Sequence, residues 1–466
     1  MGIGFAPVLF SFYKESRMAE RVLFGTDGVR GVANKDLTVH LCLRIARAAA
    51  TVLRRQGEGR PRVVVGRDTR ISGDMIEAAM IAGFCSAGAD VIPVGVLPTA
   101  GVAYLARELD VDMGAVISAS HNPYEFNGIK FFSHEGFKLP DAVEEEIEAR
   151  VKSSEHLDHP TGDGLGRRLP AGDAVRRYDV NLRGLCSGCL AGMRLAVDCA
   201  NGAVSELAPA LLRELGAEVT AINCNPDGLN INAACGATHP EEVARATREL
   251  GAHAGLTFDG DADRLLLADE TGRVVDGDHI LAIAARALAA QGRLPGGQVV
   301  GTVMSNLGLE RALADMGMQL VRTRVGDRYV LEEMRRLGSP LGGEQSGHVI
   351  FLDRSTTGDG LVTALIVLRI MRDTGSPLST LAGTMDDYPQ KLVNVTAPSP
   401  REWEENESIL RAIRDAEGDL GDEGRVLVRA SGTEPIIRVM VEAALAEKVE
   451  RWSGYIARVI EEQLAA

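Results

Sequence analysis

Ala115-Val116-Ile117-Ser118-Ala119-Ser120-His121-Asn122-Pro123 sets a β-branched run directly against a polar loop that closes on an Asn-Pro dipeptide. The apolar run reads as a buried strand, and Asn-Pro as the turn that stops it. Ser120 therefore falls just past the carboxyl end of a strand, with His121 beside it and Lys130 close by in Asn127-Gly128-Ile129-Lys130. The same shape recurs outward along the chain. Val63-Val64-Val65, Leu195-Ala196-Val197, Leu256-Thr257-Phe258 and Val299 to Val303 each lead into a polar or glycine-bearing loop. Such runs alternate with longer amphipathic segments, which predicts α/β layers with parallel or mixed sheets. In those sheets the ligand-binding loops lie beyond the carboxyl ends of strands.

A chain of 466 residues is too long for one ordinary core, so several domains are expected. Breaks fall at Lys152 to Asp173, at Asp269 to Asp278 and at the proline-bearing Asp386 to Arg401. They suggest an N-terminal extension (1–17), three larger units (18–172, 173–275, 276–387) and a smaller C-terminal part (388–466). No simple repeat period is visible. With 4% aromatic residues and a net charge of −15, the chain offers no stacking platform or basic surface for nucleic acid. An anionic substrate has to be held by local cations and backbone N–H groups against that overall field. No apolar run suits a membrane span. Residues 1–17 lack the basic leader of a secretory signal. Seven cysteines, an odd number, read as reduced thiols of a cytoplasmic protein. Cys186-x-x-Cys189 lacks the second pair that a zinc ribbon needs.

Three further loops carry chemistry. Asp259-Gly260-Asp261-Ala262-Asp263-Arg264 places three carboxylates on one side of an extended segment. They repel one another unless a cation lies between them, and hard oxygen ligands suit Mg²⁺. Gly260 and Ala262 are expected to leave room for the ion. A calcium loop of the EF-hand type would take Glu270 as its last ligand, but Arg264 stands where that loop needs glycine. Gly342-Gly343-Glu344-Gln345-Ser346-Gly347-His348 offers Glu344 and Ser346 to sugar hydroxyls and His348 for proton transfer near neutral pH. Arg429-Ala430-Ser431-Gly432-Thr433-Glu434-Pro435, with Arg438 beyond it, has the makings of a phosphate nest. Phe24 to Gly31 is a tight glycine loop whose Arg30 can face an anion. Gly66 to Arg70 and Val325 to Arg328 read as structural turns in which Asp and Gly shape the chain and Arg pairs locally.

In this order the four loops resemble those of the α-D-phosphohexomutase family, from about Arg21 to the C-terminus. The resemblance implies three related α/β domains with mixed sheets and a smaller, mobile C-terminal α+β domain around a central active-site cleft. It also implies a phosphoserine at Ser120, one Mg²⁺ held by Asp259, Asp261, Asp263 and the Ser120 phosphate, and a sugar phosphate substrate. It implies that Glu344, Ser346 and Arg264 meet the sugar phosphate. Arg429, Ser431, Gly432, Thr433 and Arg438 would grip the idle phosphate, and Arg30, His121, Lys130 and His348 would surround the reacting group. Asn230 to Gly236, Arg438 to Glu442 and the Gln345 form of the third loop are similar to the branch acting on glucosamine phosphate, with hexose phosphates as the alternative. A homodimer stays open. Rival readings take Asp259 as the nucleophile of an aspartyl-phosphate phosphatase, or the chain as a sugar-phosphate sensor without catalysis.

Overall fold

The computed structural model describes residues 23–25, 27–56, 59–153, 159–430 and 435–464. The expectation for residues 1–17 lies outside them, as do Ser431, Gly432 and Thr433. Among the described residues, four sheets follow one another along the chain. In the first, the strands Asp90–Val96, Arg62–Arg67 and Met113–Ile117 run parallel, and Phe126–Ser133 then pairs antiparallel to Met113–Ile117. The second repeats the plan: Glu218–Ile222, Arg194–Asp198 and Ala254–Phe258 are parallel, and Leu265–Asp269 returns antiparallel. The third does so again with Gln319–Thr323, Gln298–Thr302 and Leu341–Gly343, followed by the antiparallel Val349–Phe351. The last sheet is wholly antiparallel, with Ile436–Ala443 between Gln390–Thr396 and Gly424–Ala430, and the helices Glu407–Leu420 and Ala446–Leu464 pack on it.

The central strands of the first two sheets are buried along their whole length, Met113–Ile117 and Ala254–Phe258 alike. That is why they read as unbroken apolar runs without alternation. The first three units share one continuous apolar cluster running from Val64 and Phe132 through Leu195 and Leu256 to Leu281 and Leu365. The helix Ala174–Leu185 knits them: the Tyr178 ring lies 5.8 Å from Tyr104, and its hydroxyl donates to Asp359 Oδ2 at 2.9 Å. Asp359 in turn caps the helix Gly360–Thr374. The C-terminal unit keeps its own core around Ile437, Trp452 and Ile456. It meets the third unit through polar contacts, where Arg425 donates to the Val303 and Ser305 carbonyls and buried Glu442 accepts from the Leu307 N–H. Such an interface lets one unit turn against another more readily than a shared apolar core does.

Cys186 and Cys189 differ from the free-thiol expectation: they are joined as a disulfide at the end of Ala174–Leu185, while the other five cysteines are free. The helix end brings their Cα atoms to 5.3 Å, within disulfide range.

Candidate active site

The sheets explain the loops. Ser120, Asp259 and Glu344 each lie in the connection between the last parallel strand of a unit and its antiparallel neighbour. One topological position, used three times, presents three different chemistries to a common space.

Ser120 is buried and has a left-handed backbone, φ 52°. A non-glycine residue holds that conformation only when its surroundings fix it. Here the buried Arg70 donates to the carbonyls of Ser120 (2.9 Å) and Asn122 (2.7 Å), and Asn232 Nδ2 donates to the same two oxygens at 2.9 and 3.0 Å. The Ser120 N–H donates to Ser118 Oγ, which donates to Asp68 Oδ2 at 2.6 Å. The structural reading of Arg70 therefore holds, and its task is to hold the serine loop in shape.

Ser120 Oγ donates to Asp259 Oδ2 at 2.5 Å and lies 3.4 Å from His121 Nδ1. Asp259, Asp261 and Asp263 are all buried, and each offers a carboxylate oxygen within 4.8 Å of the others. Burial, with Asp263 and Asp261 close by, pushes the Asp259 carboxyl far up. Burial also pushes at Asp261, but the Lys130 ammonium and the Thr99 hydroxyl, 2.6 Å from Asp261 Oδ2, bring it below its ordinary value. Asp261 Oδ1 and Asp263 Oδ1 are buried without a hydrogen-bond partner. Three buried carboxylates with two orphaned oxygens fit a hard divalent cation. Glu270 belongs elsewhere, accepting from the Ser379 N–H at 3.2 Å, so the EF-hand arrangement is absent. Gly260 has another use than the one expected. A β-carbon there would sit 2.6 Å from the Ser120 carbonyl oxygen, so its space is taken by the serine loop and not by an ion.

Lys130 is buried, with Nζ 3.1 Å from Asp261 Oδ2, 3.1 Å from Asp27 Oδ2 and 3.5 Å from Asp263 Oδ2. Burial disfavours its charge, yet Asp261, Asp27 and Asp263 together drive its pKa above the usual lysine value. His121 goes the other way: burial, then Arg264 and Arg30, lower it to about 4, so its imidazole is neutral at pH 7. Arg30 pairs with Asp27 and donates to Asn122 Oδ1 at 3.1 Å. Across a cleft of about 530 Å³, lined by Arg30, His121, Asp263, Arg264, Glu344 and His348, Glu344 is held by the Gly326 N–H (2.8 Å) and the Ser346 hydroxyl (3.3 Å). Buried His348 accepts from the Gly358 N–H at 3.2 Å.

Arg429 and Arg438 face each other on adjacent strands of the last sheet. Burial and the Arg438 charge both lower the Arg429 pKa. Among the described residues, those lining the cleft come from the first three units and include neither arginine. Sequence reasoning missed Asp27, Thr99, Lys138, Asn232 and Asp327. Asp27 and Asp327 stood inside quoted turns and were passed over as turn formers, whereas Lys138 belongs to no motif.

Comparison with known proteins agrees with this geometry. The four phosphoglucomutase/phosphomannomutase profiles match in order: α/β/α domain I over residues 21–158, domain II over 187–272, domain III over 276–388 and the C-terminal domain over 392–459. The chain belongs to this family, the phosphohexomutases. Its similar relatives include the phosphoglucosamine mutase of Thermoanaerobacter sp. (strain X514), 52% identical over 95% of this chain and 99% of the relative. That of Symbiobacterium thermophilum is 53% identical with the same coverage. Among solved structures, a phosphoglucomutase/phosphomannomutase family protein from Burkholderia thailandensis superposes with a TM-score of 0.78 at 26% identity, covering 94% of this chain and 97% of the other.

Proposed function

We propose that this chain interconverts glucosamine 6-phosphate and glucosamine 1-phosphate, with Ser120 carrying the phosphoryl group between them. The observation that carries the reading is the 2.5 Å approach of Ser120 Oγ to Asp259, at the edge of a carboxylate trio that needs a cation. Asp259, Asp261 and Asp263 would hold Mg²⁺, which when bound supplies charge neutralisation at the phosphoryl oxygens.

Ser120 gives its phosphoryl group to the free hydroxyl of the bound monophosphate. The Ser120 Oγ–P bond breaks, a sugar O–P bond forms, and the hydroxyl proton leaves to a base within hydrogen-bond reach. The bisphosphate then turns over in the cleft, its other phosphoryl group returns to Ser120, and a proton goes back to the oxygen left behind. Such transfers depend on positioning and charge more than on covalent help. Lys130, charged and enclosed, suits the developing charge and the proton donation. Once the trio's charge is neutralised, Asp27 is its main remaining counter-ion, and Lys130 gives up a proton more readily. Neutral His121 beside Ser120 is suited to accept a proton, and His348 serves from the opposite wall. Glu344 and Ser346 hold the sugar, Arg30 and Arg264 face phosphate oxygens, and Arg429 and Arg438, with Ser431, Gly432 and Thr433, grip the idle phosphate. For those arginines to reach a sugar in the cleft, the C-terminal unit turns on its polar interface, which also closes the site to water. Among the described residues no helix is long and apolar enough to cross a membrane, and a cytoplasmic enzyme fits this substrate.

The test is a parallel rate comparison on glucosamine, mannose and glucose 1-phosphates. The glucosamine ester should lead in kcat/KM by about tenfold or more. Equal rates, or a lead for either hexose, would reassign the sugar.

A further inference from the structure

Lys138 lies outside every motif and is a largely enclosed cation that the mechanism leaves unused. It stands at the end of a turn running from Ser133 to Leu139. The Ser133 N–H donates to the Phe137 carbonyl at 2.7 Å, and Gly136 supplies the positive φ of 79°. The turn belongs to the first unit, but four successive residues of it are held by the third. Thr356 Oγ1 donates to the Gly136 carbonyl at 2.5 Å, and the Arg335 guanidinium lies 4.5 Å over the Phe137 ring. Lys138 Nζ lies 2.5 Å from Asp327 Oδ2, and Arg328 donates to the Leu139 carbonyl at 2.6 Å. Lys138 also lies 2.5 Å from Asp27 Oδ1, and the other oxygen of Asp27 meets Lys130.

The third-unit loop gripped in this way carries the far wall of the cleft. The N–H of Gly326, next to Asp327, fixes Glu344, and Asp327 Oδ2 is 3.7 Å from His348 Nε2. Charges therefore alternate from Asp261 through Lys130, Asp27 and Lys138 to Asp327, across all three α/β units. We propose that the Ser133–Leu139 turn is a strut holding the sugar-binding wall at its working distance from Ser120, with Lys138 as a positioning residue for phosphoryl transfer. Removing that ammonium takes from Asp327 its close cation, and the two walls are then joined only through the Thr356, Arg335 and Arg328 contacts, the last including ion pairs to Asp141 and Glu144. A largely enclosed ion pair that loses one partner leaves a poorly solvated charge behind, so the loop is expected to move. Reacting groups displaced by about 1 Å can lose about 100-fold in rate.

The inference rests on the mutase reading for its rate measurements, and a second readout is independent of the substrate. Lys138→Met should lower kcat on glucosamine 6-phosphate by about 30–100-fold with a smaller change in KM. Lys138→Arg, which keeps the charge, should recover most of the loss. Asp327→Asn should fall by a similar factor, and the double variant should be no worse than the poorer single one, because both break the same link. Hydrogen exchange over 325–328 should accelerate in Lys138→Met and stay slow in Lys138→Arg. Should Lys138→Met fail to fold, Asp327→Asn and Lys138→Arg carry the same comparison. Parent-like kcat with unchanged exchange overturns the strut, as do multiplying losses in the double variant. A parent inactive on glucosamine 6-phosphate would instead sink the substrate reading, while the exchange result still decides the strut.

Discussion

Gly260→Ala puts one methyl group where the metal loop backs onto the serine loop. The added carbon would lie 2.6 Å from the Ser120 carbonyl and 2.8 Å from Asn232 Nδ2, against an ordinary contact of 3.4 Å or more. Neither neighbour yields freely: the carbonyl is backbone, and Asn232 is tied to both the Ser120 and Asn122 oxygens. The loops must therefore part by nearly an ångström. Overpacking of this kind costs about 1–3 kcal/mol of stability, too little to unfold a chain with so extensive a core. For the chemistry the same displacement is large. It separates Ser120 Oγ from the carboxylate trio, and misplacement on this scale costs about 30–100-fold in kcat. The assay is turnover of glucosamine 6-phosphate at saturating Mg²⁺, with thermal unfolding run beside it to separate stability from rate. Gly184→Ala is the control: a β-carbon there meets nothing within 4 Å, so rate should hold and stability should not fall. A Gly260→Ala enzyme within about threefold of the parent kcat would refute the claim that the two loops act as one machine.

Asp261→Asn should weaken Mg²⁺ binding by more than about tenfold in titration calorimetry and remove most of the rate, since it takes a carboxylate from the trio and a partner from Lys130; unchanged affinity would move the metal elsewhere. Arg438→Ala removes a charge-assisted contact of roughly 1.5–3 kcal/mol, so KM should rise about tenfold or more while kcat changes less. Burial and Asp276 raise buried Asp278 to about 7. The folded state therefore binds a proton that the unfolded chain has released, and the stability linked to it is full below pH 4 and is lost as pH rises towards 7. Asp278→Asn should accordingly gain stability over the parent at pH 8 but not at pH 4, by roughly 2–4 kcal/mol at most, as read by denaturant unfolding at the two pH values.

What the sequence disclosed follows from how each feature is built. The serine and aspartate loops were legible because a fully buried strand writes an unbroken apolar run, and the loop after it is continuous in sequence. The threefold plan left no repeat period in the residues and was expected only through the resemblance: what repeats is a pairing order, three parallel strands and an antiparallel return, carried by unlike residues at unlike spacings. Asp27, Lys138 and Asp327 escaped for a related reason. Each is an ordinary polar residue in a turn, and only folding brings Asp27 and Asp327 onto one ammonium. Gly260 was recognised as a residue that must be small, but its crowding neighbour, the Ser120 carbonyl, lies far away in the chain. Cys186 and Cys189 were adjacent enough to be noticed, and their pairing depended on how the helix before them ends.

Locating phosphate on the resting protein by mass spectrometry, then following its transfer to added glucosamine 6-phosphate, tests the chemistry most directly. The phosphoryl group should map to Ser120 and pass to the sugar, and Ser120→Ala should carry none and turn over nothing while keeping its fold. Phosphate on Asp259, or a Ser120→Ala protein working at the parent rate, would contradict a serine carrier outright.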